Sequence, residues 1–405
     1  MAKILKKQKK TIKKQIKKIA SAKTLKKVKK VTKSVKKIKA KKLIKKIVKK
    51  PIKVLKLVRS PKNPIIGPSA YAWESQAVFN PAVISSHGRI HLFYRALGDD
   101  GISRIGYASS IDGINFGERL TYPVYFVENA EEMKKNWPFT SPARYDTVLY
   151  SSGGGWGGCE DPRTVLIEGN IYMTFNMFNG WNSMRVAVTS IKEEDLLNKK
   201  WFWKNFSYLS RDGDRQKNWV LFPEKINGKF AIFHNLDKGD PSKVGIVYVN
   251  KLDNSETPQG NAPGSEAPDP QLLPDHIVAW HKRTRSAAAP PIKTKDGWLL
   301  LYHAMDKENN RYKLGALLLD LKDPQKVLYR AQHPILEPDL WYENDWKPGI
   351  IYASGALVKE GKLFVYYGGG DKHIAIASIK LVDLINSMKK NGTVKLEKNK
   401  LLKFD

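Results

Sequence analysis

One stretch of the chain combines acidic, basic and glycine residues at a spacing that suits acid catalysis. The run from Gly153 to Arg163 reads GGGWGGCEDPR, so Glu160 and Asp161 are adjacent and Pro162 and Arg163 follow them. Glycines let a backbone pass close to a ligand, proline fixes the backbone after the acids, and a guanidinium can lower the pKa of a neighbouring carboxylate. A carboxylate held in this way could act as a general acid.

The two acids of this run do not form a simple catalytic pair, because adjacent side chains of extended backbone point to opposite faces. We therefore expect only one of Glu160 and Asp161 to face a pocket. A salt-bridged turn explains the same residues without catalysis, and spacing alone leaves both interpretations open.

The elements that must position this run are predicted by a hairpin pattern that occurs five times. In each copy an alternating apolar strand ends in an aromatic and polar tip, and a second strand follows. The first strands are Ile90–Arg95, Ile171–Asn176, Phe230–His234, Trp298–His303 and Leu363–Gly368. The second strands are Ile105–Ala108, Val186–Val188, Val244–Tyr248, Leu314–Leu318 and Ile374–Ala377. A turn signal precedes each hairpin: His87-Gly88, Glu168-Gly169, Asn227-Gly228, Asp296-Gly297 and Glu360-Gly361.

The first strands begin 59 to 81 residues apart, which is long enough for a four-stranded sheet in each copy. This period predicts an all-β fold, a five-bladed β-propeller over residues 61–405, with polar strand tips converging on a central pocket. A pair of β-sandwiches would also show alternating strands, but sandwiches seldom repeat one hairpin pattern at this period. Residues 251–275 are rich in proline and glycine and are predicted to form a long surface loop.

The positive charge is concentrated at one end of the chain. Residues 1–60 hold 27 Lys and Arg and no Asp or Glu, whereas the other 345 residues hold 44 basic and 39 acidic residues. Ile12, Ile16 and Ile19 are spaced as on one face of a helix, so this Lys-rich extension is predicted to be helical or disordered. It could remain solvated, or it could bind nucleic acid or an anionic lipid surface.

Several classes of protein are disfavoured by what the sequence lacks. No uninterrupted apolar run follows the first lysines or reaches membrane-spanning length, which makes the cytoplasm the default location. Cys159 is the one cysteine, so an internal disulfide is excluded. Cys and His residues do not cluster at zinc spacing, and no metal or organic cofactor is expected. The sequence leaves open a homo-oligomer.

Four separated segments resemble the signature segments of glycoside hydrolase family 130. They are Gly158–Arg163, Val220–Lys229, Gly297–His303 and Tyr366–Asp371, within a likeness that spans roughly residues 64–380. The resemblance implies a five-bladed propeller that acts as an inverting β-mannoside phosphorylase or, in some members, as an inverting β-mannosidase. Nothing similar covers the Lys-rich extension.

Carried over by position, the resemblance makes Asp161 the proton donor, acting through a hydroxyl of the bound mannosyl unit. The residues implied in sugar binding are Asn80, Arg95, Arg104, Glu160, Arg163 and Asp371. Those implied beside the phosphate are Lys217, His303 and Arg285, the last from the run Lys282–Ser286, whose register is uncertain. A phosphate dianion needs several such cations.

The choice between phosphorolysis and hydrolysis depends on a second carboxylate. An inverting hydrolase needs a base about 6.5–9.5 Å from its acid. Neither Asn235 nor the Lys282–Ser286 run supplies one, which favours phosphorolysis, with inorganic phosphate as co-substrate. One phosphorylase position does depart from the pattern, because the chain reads His234-Asn235-Leu236 where an Arg-Pro is usual. Glu224, Asp237 or Asp240 could still supply a base.

Two other functions fit the same pattern. Five-bladed glycosidases that cleave arabinans, xylans or fructans use three acids from different blades, whereas this chain has no acid at most strand tips. A propeller that binds carbohydrate, or is tethered to nucleic acid, without catalysis is the third alternative.

Overall fold

The computed structural model describes residues 55–127, 155, 157–179, 184–212, 216–237, 240–256 and 280–391. Side chains are described in these ranges except at 235–237, 240–244, 281–285 and 391. The predictions for residues 1–54, for Trp156 and for most of the 251–275 loop lie outside the described residues, as does the side chain of Arg285.

The regular secondary structure of the described residues consists almost entirely of β-strands, which confirms the all-β prediction. Two short α-helices, α1 (Glu193–Leu197) and α2 (Leu381–Asn391), and two 3₁₀ turns (Ala72–Glu74 and Trp341–Glu343) accompany them. The strands of the first half are β1 (Val58–Arg59), β2 (Ala77–Ser86), β3 (Arg89–Leu97), β4 (Ile102–Ser110), β5 (Glu118–Arg119), β6 (Gly157–Ile167), β7 (Asn170–Asn179), β8 (Met184–Lys192) and β9 (Ser207–Tyr208).

The second half continues the same arrangement. Its strands are β10 (Val220–Leu221), β11 (Phe230–Asp237), β12 (Asp240–Val249), β13 (His281–Ala287), β14 (Ile292–Thr294), β15 (Gly297–Asp306), β16 (Tyr312–Leu319), β17 (Val327–Arg330), β18 (Ile351–Lys359), β19 (Lys362–Gly369) and β20 (His373–Lys380).

The five predicted hairpins are all present, as β3-β4, β7-β8, β11-β12, β15-β16 and β19-β20. An inner strand pairs antiparallel with the first strand of each, giving five antiparallel units. Four of the predicted turns join that inner strand to the hairpin with two residues at positive φ, for example Glu168 at 50° and Gly169 at 73°. Such turns match the right-handed twist of the strands that they connect, which explains why the dipeptides were informative.

Neighbouring units contact one another through their inner and third strands. β2 contacts β6, β6 contacts β10, β12 contacts β13, β16 contacts β18, and β18 contacts β2. The N-terminal strand β1 pairs with β20, the last strand of the chain, and so completes the fifth unit.

A buried tyrosine and an arginine recur as a pair at the same register in three units. Tyr94, Tyr302 and Tyr367 lie on the second strand of their units, and Arg119, Arg330 and Arg59 lie on the outer strand. In two of these units a buried glutamate on a 3₁₀ turn completes the cluster: Tyr94 donates to Glu74 (2.9 Å), and Tyr367 donates to Glu343 (2.7 Å). Arg59 also bonds Glu343 through Nε (2.7 Å) and Nη2 (2.9 Å). These clusters tie the outer strands to the 3₁₀ turns above the sheet ends.

Candidate functional site

Two matching bulges place polar side chains at the ends of neighbouring inner strands. The pairing of β6 with β7 breaks between Glu160 and Arg163, and the pairing of β2 with β3 breaks between Phe79 and Ala82. Each break holds a polar residue followed by proline: Asp161 with φ 52°, and Asn80 with φ 48°. Proline has no N–H to give to a sheet, so it favours such a bulge.

The Asp161 carboxylate is buried among donors. Asn80 Nδ2 donates to its Oδ1 at 2.7 Å, Arg95 Nη1 lies 3.4 Å from the same oxygen, and Asn176 Nδ2 lies 3.5 Å from Oδ2. Burial alone would raise the pKa of Asp161, but the positive charges of Arg95, Arg163 and Lys217 and the Asn80 hydrogen bond together lower it. The carboxylate is therefore ionised at neutral pH in the unliganded protein.

Glu160 binds Arg95, the same guanidinium that lies beside Asp161, so both acids contact one cation. Arg95 Nη2 donates to Glu160 Oε1 at 2.7 Å, and its Nε donates to Ser103 Oγ at 3.0 Å. The guanidinium also lies 4.6 Å from the centre of the Phe79 ring. Because both charged side chains are buried, each depends on the other, and removing either would leave an uncompensated charge. Glu160 thus fixes the cation that faces the acid.

Arg163 connects the acid to two other units of the fold. Its Nη1 donates to the backbone oxygen of Asp161 (2.8 Å), its Nε to Ala288 O (3.1 Å) and its Nη2 to the Tyr352 hydroxyl (3.2 Å). These three bonds use the fork of a guanidinium, which lysine cannot reproduce.

His303 lies at the predicted strand tip but is fully buried. Its Nε2 accepts from the Ala353 N–H at 2.8 Å, so this nitrogen carries no proton, and its Nδ1 lies 3.4 Å from Ser286 Oγ. The ring stacks on Tyr352 with centroids 4.1 Å apart. The geometry favours a role in positioning Tyr352 and Ser286, and contact with phosphate stays a prediction.

Lys217 and Asn218 approach from the segment before β10. Lys217 is half-buried, and its charge lowers the pKa of Asp161. Asn218 exchanges two hydrogen bonds with Asn176, one through its backbone N–H (2.8 Å) and one through its Oδ1 (3.1 Å). This pairing fixes the amide of Asn176 beside Asp161.

Asp371 lies in the β19-β20 turn, which packs against Asn80. The backbone N–H of Val78 donates to Lys372 O at 3.1 Å, and a Cβ at Gly368 would lie 2.3 Å from Asn80 Oδ1. Lys347 Nζ lies 3.3 Å from Asp371 Oδ2. The structure therefore brings Asp371 close to the Asn80–Asp161 pair. Among the described residues, Asn80 Oδ1 has no hydrogen-bond partner although it is buried, which leaves it available to a ligand hydroxyl.

Two predicted residues are not placed in this cluster. Arg104 forms a two-pronged pair with Asp100, with Nη2 2.6 Å from Oδ2 and Nη1 3.1 Å from Oδ1. Arg285 lies at a bulge of β13, between the paired residues Thr284 and Ser286, the same kind of position that Asn80 and Asp161 occupy. The backbone position of Arg285 is therefore equivalent to those of Asn80 and Asp161, and its side chain lies outside the described part of the chain.

Sequence reasoning missed four residues of this site: Asn176, Asn218, Tyr352 and Lys347. Asn176 ends the strand tip that follows Phe175, so comparison of the five tips could have found it. Tyr352 and Lys347 belong to the segment before the last hairpin and carry no recognisable motif.

Other chemistry is limited in the part of the chain that the structure describes. No group of three or more His, Cys, Asp or Glu residues there could hold a metal ion. Cys159 is buried, and burial raises the pKa of its thiol. Glu224, one candidate for a hydrolytic base, pairs with Lys293 at 2.6 Å on the surface. None of the described helices is both long and apolar enough to cross a membrane.

Comparison with known proteins identifies relatives that match most of the chain. Residues 37–390 match the model of glycoside hydrolase family 130, described as β-1,4-mannooligosaccharide phosphorylase. A 1,2-β-oligomannan phosphorylase of Thermoanaerobacter sp. (strain X514) is 35% identical over 341 residues, covering 82% of this chain and 99% of that protein. A β-1,2-mannobiose phosphorylase of the same organism is 34% identical and covers 81% and 98%.

A solved structure shows that the fold is shared as well. The β-1,2-mannobiose phosphorylase of Listeria innocua, in complex with β-1,2-mannobiose, matches with a TM-score of 0.61 at 23% identity. The match covers 83% of this chain and 99% of that one.

Proposed function

The chain belongs to glycoside hydrolase family 130, and from this premise we propose that it is an inverting β-1,2-mannoside phosphorylase that releases mannose 1-phosphate. The preference for the 1,2-linkage rests on the printed activities of the two relatives from Thermoanaerobacter. The phosphorolytic reaction rests on the site itself.

The observation that carries the proposal is one buried carboxylate among three cations. Arg95, Arg163 and Lys217 all act on Asp161, and Glu160 is already paired with Arg95. Within the described residues, the side chains that contact the Asp161 carboxylate are amides and a guanidinium. Such a cluster of cations attracts a dianion, which suits phosphate as the nucleophile.

In the proposed reaction a phosphate oxygen attacks the anomeric carbon from the face opposite the leaving oxygen. The new C–O–P bond forms as the glycosidic C–O bond breaks, and the leaving oxygen takes up one proton. Asp161 supplies that proton, through a mannosyl hydroxyl as the family resemblance implies, and recovers one that the phosphate gives up. No cofactor is needed in this scheme.

The lowered pKa of Asp161 links its protonation to phosphate binding. In the unliganded protein the cations keep the carboxylate ionised. A phosphate dianion beside the same cations offsets their charge and raises the pKa of Asp161, so the acid gains its proton when the nucleophile is in place. Asn80, which donates to Asp161 Oδ1, stabilises the ionised form between turnovers.

The five antiparallel units support a closed five-bladed propeller over a pair of sandwiches. Each unit contacts two others, and the fifth contacts the first through β18 and β2. Pairing of β1 with β20 completes the last unit with the N-terminal strand. This arrangement would gather the five inner strand ends around one pocket.

Inverting hydrolysis of β-mannosides is the alternative within the same family. It would need a carboxylate base near the pocket, and the side chains of Asp237 and Asp240 lie outside the described part of the chain. Product analysis separates the two reactions, because hydrolysis releases free mannose without phosphate.

We also propose that the Lys-rich extension binds a polyanion, either nucleic acid or an anionic lipid surface, in a cytoplasmic protein. Residues 1–54 hold 25 lysines and no acidic residue, which supports this role.

The test of the catalytic assignment is Asp161→Asn, assayed by mannose 1-phosphate formation from β-1,2-mannobiose and phosphate. Loss of a general acid lowers the rate by about 10²–10⁴-fold. Asp383→Asn, an exposed change on α2, is the matched control and should leave the rate unchanged. Retained turnover in Asp161→Asn would contradict the assignment, and phosphate-independent release of mannose by the wild type would favour hydrolysis.

A further inference from the structure

The loop between the end of the outer strand β17 and β18 is fastened to the turn that carries Asp371. We call residues 338–350 of this loop the clamp loop. Lys347 N donates to Gly370 O at 2.8 Å, and Gly370 N donates to Ile350 O at 3.1 Å. Gly369 packs so closely that a Cβ there would lie 2.8 Å from Tyr342 O. The clamp loop and the Asp371 turn therefore form one rigid piece at the pocket end of the strands.

Trp341 is exposed on this loop although its surroundings are ordered. Trp341 has 62% of its surface exposed to solvent, whereas the adjacent Tyr342 is buried. The indole contacts the His373 ring at a centroid distance of 5.3 Å and the Tyr342 ring at 5.7 Å, both at steep angles. An exposed aromatic side chain that is already held by two neighbours loses little conformational entropy when a ligand covers it.

The His373 ring that the indole contacts is held by a polar network. His373 Nε2 donates to Asp345 Oδ2 at 2.9 Å, and Lys372 Nζ lies 3.1 Å from the same oxygen. The His373 hydrogen bond lowers the pKa of Asp345, and Lys372 acts in the same direction. An exposed aromatic ring beside a hydrogen-bonded histidine is a combination that suits a sugar, since the C–H face of a sugar is apolar and its edge carries hydroxyls.

We propose that Trp341 stacks on a mannosyl unit beyond the disaccharide and makes longer β-mannosides better substrates than the disaccharide. The inference rests on the proposed function. His373, which Trp341 contacts, follows Asp371 by two residues, so their Cα atoms are at most about 7 Å apart. The indole therefore lies near the residue predicted to bind sugar but does not belong to the cluster around Asp161, a position from which it can contact an additional sugar unit.

Another exposed aromatic residue provides a control for this position. Phe202 keeps 70% of its surface open, but it lies between α1 and β9. That segment starts at the sheet end that carries the Glu168-Gly169 turn, where Glu193 N bonds Gly169 O. This is the end of the strands away from Asp161. Truncating Phe202 removes a similar exposed surface without approaching the pocket.

The experiment compares the full-length wild type with Trp341→Ala, Trp341→Phe and Phe202→Ala on β-1,2-linked mannobiose, mannotriose and mannotetraose. The readout is kcat/KM for mannose 1-phosphate formation at saturating phosphate. Trp341→Ala should lower kcat/KM on the tri- and tetrasaccharide by roughly 5- to 10-fold, the value of one aromatic stacking contact, and change it little on mannobiose. Trp341→Phe should retain part of the preference, and Phe202→Ala all of it.

The outcomes separate this inference from the proposed function. A loss of equal size on all three substrates, or no loss on any, would overturn the role of Trp341 while mannose 1-phosphate still appears. Absence of mannose 1-phosphate from the wild type on every substrate would instead reject the phosphorylase. Unchanged activity on mannobiose also shows that Trp341→Ala is folded.

Discussion

Replacing Gly368 by alanine tests whether the contact between Asn80 and Asp161 supports catalysis. A Cβ at Gly368 would lie 2.3 Å from Asn80 Oδ1 and 2.9 Å from Asn80 N, against an ordinary contact distance of at least 3.4 Å. The Asn80 amide must therefore move by about 1 Å, and the 2.7 Å hydrogen bond from Asn80 Nδ2 to Asp161 lengthens or breaks. A displacement of this size within a catalytic site costs about 10²-fold in rate.

The assay is kcat for mannose 1-phosphate formation, with thermal unfolding measured in parallel. Gly117→Ala is the matched control, because a Cβ there meets no atom within 4 Å. Overpacking costs about 1–3 kcal/mol, so a modest fall in Tm is expected. If Gly368→Ala does not fold, Asn80→Gly removes the same hydrogen bond without a clash, and glycine accepts the φ of 48° found at this position. Wild-type kcat in either folded variant would refute the reasoning.

Three further predictions concern charge. Because the folded-state pKa of Asp161 is lowered, its ionisation contributes stability above the unfolded pKa, and that stability is lost as the pH falls through the folded pKa. The difference in Tm between wild type and Asp161→Asn should therefore be largest near neutral pH and shrink in acid, and a constant difference would contradict this cause. Arg285→Ala should raise the KM for phosphate more than Arg283→Ala does. Arg283 is the control because its position is paired with Met305 within the sheet. A larger KM increase in Arg283→Ala would contradict a role of Arg285 in phosphate binding. A chain that starts at Leu55 should keep its activity but lose salt-sensitive retention on DNA or anionic vesicles, and unchanged retention would exclude the Lys-rich extension as the contact.

The start at Leu55 follows from contacts that composition alone could not show. Leu57 is buried, Val58 and Arg59 pair with β20, and Arg59 bonds Glu343. Truncation at Pro61 would remove these contacts along with the lysines. The change in composition marks where the run of positive charge ends, whereas the burial of Leu57 shows that residues before Pro61 pack into the described fold.

The strands and hairpins could be predicted because their causes are local. Alternation of apolar residues and dipeptides such as Asn227-Gly228 act over a few residues, and the observed turns have the φ values that these residues favour. Asp161 could be singled out for the same reason, since its proline and glycines are its sequence neighbours. Asn218 and Tyr352 could not be singled out in this way, because they lie far along the chain from their partners near the acid. Asn218 bonds Asn176, 42 residues away, and Tyr352 bonds Arg163, 189 residues away.

The bulges give four of the repeated units an equivalent position on the inner strand. In β2, β6, β13 and β18 the ladder skips a position at the pocket end of the inner strand, and the skipped positions include Asn80, Asp161, Arg285 and Ser354. A residue at a bulge is released from the alternation of the sheet, so its identity can change without disturbing the strand pairs on either side. The amide, carboxyl, guanidinium and hydroxyl groups are therefore independent choices at one equivalent position. The pairing of the strands fixes the backbone position of each bulge, and the residue type at each bulge fixes which chemical group that position carries.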